Sequence, residues 1–206
     1  MKVFKTTLAM MAAPVLLAAL SIAQNHPPNN ANTKSIANGG VTAADHSFMI
    51  KAAQGGMAEV ELGQLAEQNG QSSEVKAFGK RMVDDHSKAN DQLKQLASQE
   101  AVSLPTGLDA KDQATKARLE KLHGAAFDKA YMRDMVMDHK KDVAEFKHES
   151  NAAHSPALRD WAKQTTPTLE SHLQEAEKVA PQVGASMPST ATMGKSNDAS
   201  TTAESH

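Results

Sequence analysis

Apolar residues recur every three to four positions through most of the segment from 43 to 180, with charged and amide side chains between them. This spacing is typical of amphipathic α-helices that each bury one face. Asn69-Gly70 is a typical helix end, and Ser155-Pro156 is a typical helix start. We therefore predict a short helix near 109–122 and four long helices, near 44–69, 72–99, 125–151 and 155–180.

The links between these helices predict how the chain turns. The first two long helices are joined by a short link, and so are the last two, so each pair is expected to form an antiparallel hairpin. Pro167 lies inside the last helix and should kink it or reset its start. The expected fold is all-α: an antiparallel four-helix bundle with a short extra helix between the two hairpins.

The N-terminal segment has the form of a secretory signal peptide. Lys2 and Lys5 precede an apolar stretch from Leu8 to Leu20, which is too short to span a bilayer, and Ser21-Ile22-Ala23 is a suitable cleavage site. We predict a signal peptide at 1–23 and export to a bacterial periplasm or the medium, with no transmembrane span after cleavage. An uncleaved N-terminal anchor is the alternative.

Composition divides the remainder of the chain and excludes several classes of partner. Residues 24–42 are rich in Asn, Pro and Gly and predict a flexible linker, whereas residues 181–206 are rich in Ser and Thr and predict a disordered tail. The folded domain is therefore expected at 43–180.

The net charge of −2 without a basic cluster argues against binding to nucleic acid, and the absence of Cys excludes disulfides and thiol chemistry. The sequence identifies no protein partner.

A repeated pentapeptide marks the helix faces that carry candidate chemistry. Met-Val-Asp-Asp-His at 82–86 returns as Met-Val-Met-Asp-His at 135–139, which we interpret as equivalent helices of the two hairpins. On a wheel of about 100° per residue, each His lies at the centre of the apolar face. His172 has the same position on the last helix, and Glu59 points inward from the first helix among small residues. All four side chains lie near their helix midpoints, so we expect them to converge in the core.

Three imidazoles and one carboxylate are a chemically sound ligand set for Zn²⁺, Fe²⁺, Mn²⁺ or Cu²⁺. We therefore predict a divalent transition-metal site in the bundle core, and a protein with a role in metal handling or stress protection in the cell envelope. The predicted ligands are Glu59, His86, His139 and His172.

Four further acids are candidates for extra ligands or for groups that orient the imidazole rings. Asp142 and Glu175 each follow a core His by three residues, so they lie on nearly the same helix face. Asp85 and Asp138 directly precede their histidines, near the edge of the apolar face, and have hydrogen bonds to other helices or loops as their alternative role.

The same cluster has an interpretation without metal. Ionised groups in an apolar core are costly unless paired, so Glu59 could pair with one protonated His while the others hydrogen-bond as neutral rings. The chain would then be a non-catalytic structural or interaction module of the periplasm. Enzymatic activity stays open but is not favoured, since the sequence has no nucleophile motif, phosphate loop or dinucleotide fingerprint.

The chain resembles the ferritin-like domain of unknown function 4142, a family of exported bacterial proteins often labelled outer membrane proteins. The resemblance covers about 43–180 and is carried by the two M-V-x-D-H repeats and by the stretches Ala52–Gly63, Phe127–Tyr131 and Pro167–Leu173. It implies a ferritin-like four-helix bundle and no established activity.

The ligand pattern departs from that of di-iron proteins. Di-iron carboxylate bundles place Glu three residues before His on two helices and add two further Glu residues. Here Val83, Val136 and Leu169 stand three residues before the core histidines. We therefore do not expect ferroxidase activity, di-iron oxygen chemistry or iron storage.

Overall fold

Five α-helices and one 3₁₀ turn account for most of the chain between residues 40 and 185, the part that the computed structural model describes. This part contains no β-strand, so the all-α prediction is confirmed. No helix in it is long and apolar enough to cross a membrane. The elements are α1 (Ala43–Asn69), α2 (Ser73–Gln99), α3 (Ala110–Leu119), α4 (Gly124–Ala152), α5 (Pro156–Val179) and the 3₁₀ turn Ala180–Val183.

The segments at either end are described only in part. The signal peptide predicted at 1–23, most of the linker and the tail beyond residue 185 lie outside the described residues. Thr42, the last residue of the predicted linker, caps α1, because its hydroxyl accepts a hydrogen bond from the backbone of Asp45 at 3.1 Å. Helical structure also continues past the predicted end at 180 to Val183, and Ala185 is buried against the core.

Buried aspartates at the starts of α1 and α4 show how the two hairpins are arranged. Asp128 of α4 accepts hydrogen bonds from the backbone of Gln71 and Ser72, in the link between α1 and α2, at 3.0 and 2.8 Å. Asp128 lies near the start of its own helix, and its carboxylate binds the other hairpin. The carboxylate of Asp45 in α1 likewise accepts hydrogen bonds from the backbone of His154 and Ser155, in the link between α4 and α5.

These contacts fix the direction of each helix. The start of α4 lies beside the end of α1, and the start of α1 lies beside the end of α4, so α1 and α5 run one way and α2 and α4 the other. Residues 100–123, which include α3, therefore cross the length of the bundle. This single long crossover is the connectivity of ferritin-like bundles. The repeated pentapeptides lie on α2 and α4, as predicted, and these two helices run in the same direction.

Close packing of α1 on α2 depends on two glycines that face each other. A Cβ atom at Gly63 would lie 2.6 Å from the carbonyl oxygen of Gly79, and a Cβ at Gly79 would lie 2.6 Å from the Cβ of Ala66. Neither position has room for a side chain, so the two backbones approach closely just one to two turns from the predicted ligands.

Pro167 does not divide α5. The helix begins at Pro156, as predicted, and continues through Pro167 to Val179, so the alternative of a later start is wrong. Pro167 has no N–H group to donate to the carbonyl oxygen of Lys163. Both residues are exposed, so water can donate to that oxygen instead. The apolar face of α5 on either side of the proline remains buried against the other helices.

The core consists of two apolar clusters with a polar layer between them. One cluster includes Phe78, Phe127 and Tyr131, and the other includes Phe48 and Trp161. The predicted ligands are buried polar residues that belong to neither cluster, and along each helix they come between members of the two clusters.

Candidate metal centre

Three buried histidines from three helices lie together in the polar layer. His86 of α2, His139 of α4 and His172 of α5 have ring centroids 5.3–5.9 Å apart. One ring nitrogen from each lies within 4.8 Å of one from the other two. His139 and His172 are completely buried and His86 is 8% exposed. The arrangement could hold a metal ion.

Hydrogen bonds determine which nitrogen of two of these rings carries a proton. Nδ1 of His139 lies 3.0 Å from the carbonyl oxygen of Met135, one helical turn earlier, so Nδ1 must donate. Nε2 of His172 lies 2.8 Å from Oδ2 of Asp85 and donates to that carboxylate. When both rings are neutral, Nε2 of His139 and Nδ1 of His172 therefore carry lone pairs. These two atoms lie 3.3 Å apart.

Burial favours the neutral form of all three rings. It lowers the pKa of His139 to about 4, and the neighbouring His172 adds to the shift. Burial also lowers the pKa of His86 well below its usual range, assisted by the other two imidazoles. The pKa of His172 is lowered by burial as well, although the hydrogen bond to Asp85 opposes that shift. Near neutral pH the cluster is therefore a set of uncharged imidazoles, in which the lone pairs of His139 and His172 face each other.

Glu59 lies next to this cluster without joining the group of mutually close ligand atoms. Its Oε1 is 3.9 Å from Nδ1 of His139, the nitrogen that faces Met135 and not the one that faces His172. Burial, followed by the charge of Asp142, raises the pKa of Glu59 well above its usual range. Since the same environment keeps His139 neutral, this contact is not an ion pair.

Two polar atoms of the cluster have no hydrogen-bond partner within residues 40–185. They are Oε2 of Glu59 and Nε2 of His86, both completely buried atoms. A buried polar group without a partner destabilises a folded protein by about 1–3 kcal/mol. These two atoms lie beside the facing ring nitrogens of His139 and His172.

Among the four acids predicted to support the histidines, Asp85 contacts one of them directly. Asp85 accepts a hydrogen bond from His172 and also pairs with Arg81, whose Nε lies 3.3 Å from the same carboxylate oxygen. Burial raises the pKa of Asp85, but the bonds from His172 and Arg81 outweigh it and hold that pKa below its usual range. Asp85 is thus an anion that fixes the orientation of His172.

Glu175 does not orient His172, contrary to the prediction from its spacing. It lies 2.5 Å from Nη1 of Arg81, whose other terminal nitrogen binds the hydroxyl of Ser171 at 3.0 Å. Glu175 therefore binds Arg81, which in turn holds Asp85. Sequence reasoning missed Arg81, although it lies four residues before Asp85 on one helix face, a spacing typical of ion pairs.

Asp138 and Asp142 do not contact the histidines either. Asp138 pairs with Lys111 of α3 at 3.6 Å, an interhelical contact of the kind named as its alternative role. Asp142 is partly buried near Glu59, and burial together with the charge of Asp138 raises its pKa to about 7. Both acids line a cavity of about 240 Å³ that also reaches Glu59 and His86.

Tyr131 and Trp161 are further buried residues with polar atoms near this layer. The hydroxyl of Tyr131 and the indole nitrogen of Trp161 have no hydrogen-bond partner within residues 40–185. Tyr131 packs against Phe78, whose ring lies 6.2 Å from that of His139. Each side chain lies on an apolar helix face. A helical pattern there predicts that the ring is buried, but it does not predict the environment of the polar atom on the ring.

The sequence profile of the family described as "Domain of unknown function (DUF4142)" matches residues 30–179. Among solved structures, the chain is similar to the crystal structure of a DUF305 fragment from Deinococcus radiodurans, with a TM-score of 0.62 and 14% sequence identity. The likeness covers 69% of this chain and 99% of that one, and at this identity it concerns the fold alone. A comparison with curated proteins gives no match.

Proposed function

The chain belongs to the DUF4142 family, whose function is unknown, and we propose that it binds one divalent transition-metal ion in the core of its bundle. The ion lies between His86, His139 and His172, and Glu59 completes the ligand set directly or through a bound water. The ligand chemistry suits Zn²⁺, Cu²⁺, Fe²⁺ or Mn²⁺.

The observation that carries this proposal is the contact between Nε2 of His139 and Nδ1 of His172. Two neutral rings whose protons are directed elsewhere repel each other at 3.3 Å unless something positive lies beside both nitrogens. Two nitrogen ligands of a tetrahedral Zn²⁺, each about 2.0–2.1 Å from the ion, are separated by roughly 3.3–3.4 Å. The spacing of the two imidazoles is therefore already that of adjacent ligands.

The hydrogen-bond partners of the rings support the same proposal. Histidines that bind metals usually donate their second N–H to a carboxylate or a backbone carbonyl, which fixes the ring and increases its basicity. His172 donates to Asp85 and His139 donates to the carbonyl of Met135. The unpartnered Nε2 of His86 supplies a third lone pair.

The cellular role that we propose is metal handling or stress protection in the bacterial envelope. It rests on the signal-like N-terminus together with a buried site that has more imidazole than carboxylate. Buried nitrogen ligands hold a late first-row ion tightly, whereas iron storage and di-iron chemistry need bridging carboxylates. A sequestering or buffering protein agrees with this ligand set better than a catalyst does.

A cluster without metal is the second candidate, and the Asp85–His172 pair favours it. A proton shared between His139 and His172 would also remove the repulsion of their lone pairs, and the anionic Asp85 would stabilise the resulting imidazolium. The polar layer would then only fix the register of the helices. This candidate requires a charged His172 in a place where burial lowers its pKa.

Metal analysis of the protein purified without a histidine tag tests the proposal. The apo-protein is dialysed separately against Zn²⁺, Cu²⁺, Fe²⁺ and Mn²⁺ under conditions that keep each ion soluble, and is then desalted. We expect one tightly bound ion per chain for at least one metal, and loss of that ion in His139→Ala. The control is His148→Ala, which removes an exposed histidine from the same helix. Absence of a bound ion from the wild-type protein with all four metals would reject metal binding in favour of the proton-sharing cluster.

A further inference from the structure

A cleft leads from the surface to the polar layer between α1, α3 and α4. Its inner end is formed by Glu59 and His86, and its outer rim includes Asp109, Lys111 and Asp112 at the start of α3. The cavity holds about 240 Å³, which is room for several water molecules. It is therefore large enough for a hydrated divalent ion that loses its water in steps.

The walls of this cleft are predominantly acidic. Lysines are half as numerous as carboxylates, and two of the three are paired: Lys111 with Asp138 at 3.6 Å and Lys51 with Glu145 at 3.9 Å. The lining carboxylates are Glu59, Asp109, Asp112, Asp138, Asp142 and Glu145. Burial raises the pKa of Glu59 well above its usual range, so the negative charge comes from the other five carboxylates, which still outnumber the three lysines. A cleft with an excess of one charge concentrates ions of the opposite charge.

A second observation, independent of the acidic lining, points to a ligand at the inner end. Glu59 is 4% exposed and His86 is 8% exposed. Oε2 of Glu59 and Nε2 of His86 have no hydrogen-bond partner within residues 40–185. Both residues line the cleft. The acids therefore lead to two buried atoms that are free to accept a cation.

We propose that this cleft is the route by which the metal ion reaches and leaves the histidine cluster, with Asp112 and Asp138 as the residues that attract it at the rim. The inference rests on the proposed metal binding. Residues of α3 and α1 control the rates of uptake and release, whereas the ligands determine the affinity.

Gly55 and α3 show how passage through the cleft is possible. Gly55 lines the cleft, and a Cβ atom there would meet nothing within 4 Å, so the α1 wall is open at this point. Helix α3 buries only Leu119 and is tied to its neighbours by surface ion pairs. These include Lys116 with Glu61 at 2.9 Å. A helix with so few buried contacts can shift outward at small free-energy cost.

Stopped-flow uptake of Co²⁺ by the full-length apo-protein tests the route, since Co²⁺ absorbs visibly once imidazole nitrogens bind it. In Asp112→Asn/Asp138→Asn we expect the association rate constant at low ionic strength to fall about tenfold, and added salt to reduce the difference. The matched control is Asp84→Asn/Asp91→Asn, which changes the net charge equally at exposed positions of α2 outside the cleft. This control should take up Co²⁺ at the wild-type rate.

Two further variants should move the rates in ways that misfolding cannot imitate. Lys111→Gln removes a positive charge from the rim and should accelerate uptake about two- to fivefold, whereas Lys94→Gln on the exposed face of α2 should not. Gly55→Leu fills the open wall and should slow uptake and release by the same factor, which leaves the dissociation constant unchanged. Gly55→Ala, which projects much less into the cleft, is its control.

The outcomes separate the route from the site. Uptake at wild-type rates in the acid double variant and in both Lys111→Gln and Gly55→Leu, with normal affinity, would overturn the route while leaving metal binding intact. Absence of uptake of Co²⁺ and of all four proposed metals by the wild-type protein would overturn the route together with the proposed function. Slower uptake in Gly55→Leu and faster uptake in Lys111→Gln, each against its control, would establish the route.

Discussion

The carboxylate of Asp85 lies 2.8 Å from Nε2 of His172, and this contact decides which nitrogen of His172 faces the other two imidazoles. Asp85 comes from α2 and His172 from α5, so the contact also joins the two hairpins. Arg81, one turn before Asp85, holds the carboxylate in place through an interaction at 3.3 Å. The orientation of one proposed ligand thus depends on a chain of charged residues outside the core.

Replacement of Asp85 should weaken metal binding more than it weakens the fold. We expect Asp85→Ala to reduce metal affinity about 10- to 100-fold, because His172 loses the acceptor that fixes its tautomer and ring position. Asp85→Asn should lose less, since the amide oxygen can still accept from Nε2. Competition with a chelator measures both affinities. Asp84→Ala, at the exposed neighbouring position, is the control, and equal losses in Asp84→Ala and Asp85→Ala would contradict this role.

Replacement of His86 by an apolar residue should separate stability from metal binding. His86→Leu removes a buried nitrogen that has no partner within residues 40–185, so we expect the free energy of unfolding of the apo-protein to rise by about 1–2 kcal/mol. The same variant should lose the stabilisation by metal, which for wild type is about 2.7 kcal/mol at a free-metal concentration 100 times the dissociation constant. Denaturant titrations with and without metal measure both effects.

The control for that substitution is His148→Leu on the exposed face of α4. It should retain the full stabilisation by metal. If His86→Leu without metal is markedly less stable than the wild-type protein without metal, the imidazole forms hydrogen bonds that stabilise the apo-protein.

Asp142 should make the apo-protein less stable as pH rises. Burial raises its pKa from 3.8 to about 7, so the folded state holds a proton that the unfolded chain has lost between these values. Its contribution to stability is therefore present below about pH 4 and is lost as pH rises through 7. Asp142→Asn should be more stable than wild type at pH 8 by about 2–4 kcal/mol, and nearly equal to it at pH 4.

Denaturant titrations between pH 4 and 8, in metal-free buffer, measure this difference. His139 has the opposite dependence, because its pKa is lowered to about 4 and its contribution is lost as pH falls. It is unchanged in the variant and cancels from the comparison. Asp91→Asn, which removes an exposed carboxylate from α2, is the control. A constant stability difference across the pH range would show that Asp142 ionises normally in the folded protein.

The aspartate at the start of α4 should stabilise the junction of the hairpins. Asp128→Ala leaves the backbone N–H groups of Gln71 and Ser72 without their acceptor, so we expect a loss of about 2–3 kcal/mol in the free energy of unfolding. The control is Asp160→Ala, since Asp160 is also the fifth residue of its helix but is exposed. It should cost less than about 0.5 kcal/mol. Equal losses would mean that Asp128 acts only on its own helix.

Local sequence signals gave the helices accurately because they act over a few residues. The apolar period, the cap at Ser155 and the stop at Asn69-Gly70 lie within the segments they specify, and the observed bounds of the long helices agree with the predicted ones to within one or two residues. The sequence left open that α5 starts at Pro167, and this alternative was wrong. The effect of a proline inside a helix depends on whether the carbonyl group four residues earlier can bind water, and only the tertiary structure shows that.

The inward direction of the predicted ligands could also be derived from the sequence, but their contacts could not. A helical wheel places a side chain on a face, and the buried positions of Glu59, His86, His139 and His172 agree with it. It gives no rotamer, so it could not show that Glu59 lies beside Nδ1 of His139, or that Glu175 binds Arg81.

The sequence by itself therefore determined that this protein is helical, where its helices run, and which polar side chains enter its core, because hydrophobic periodicity and capping are local properties. Only the tertiary structure decided that the two hairpins are arranged with α1 parallel to α5 and α2 parallel to α4, that Asp85 binds His172, and that two lone pairs meet at 3.3 Å. These features depend on packing and on hydrogen bonds between residues as many as 110 positions apart, which no local pattern encodes.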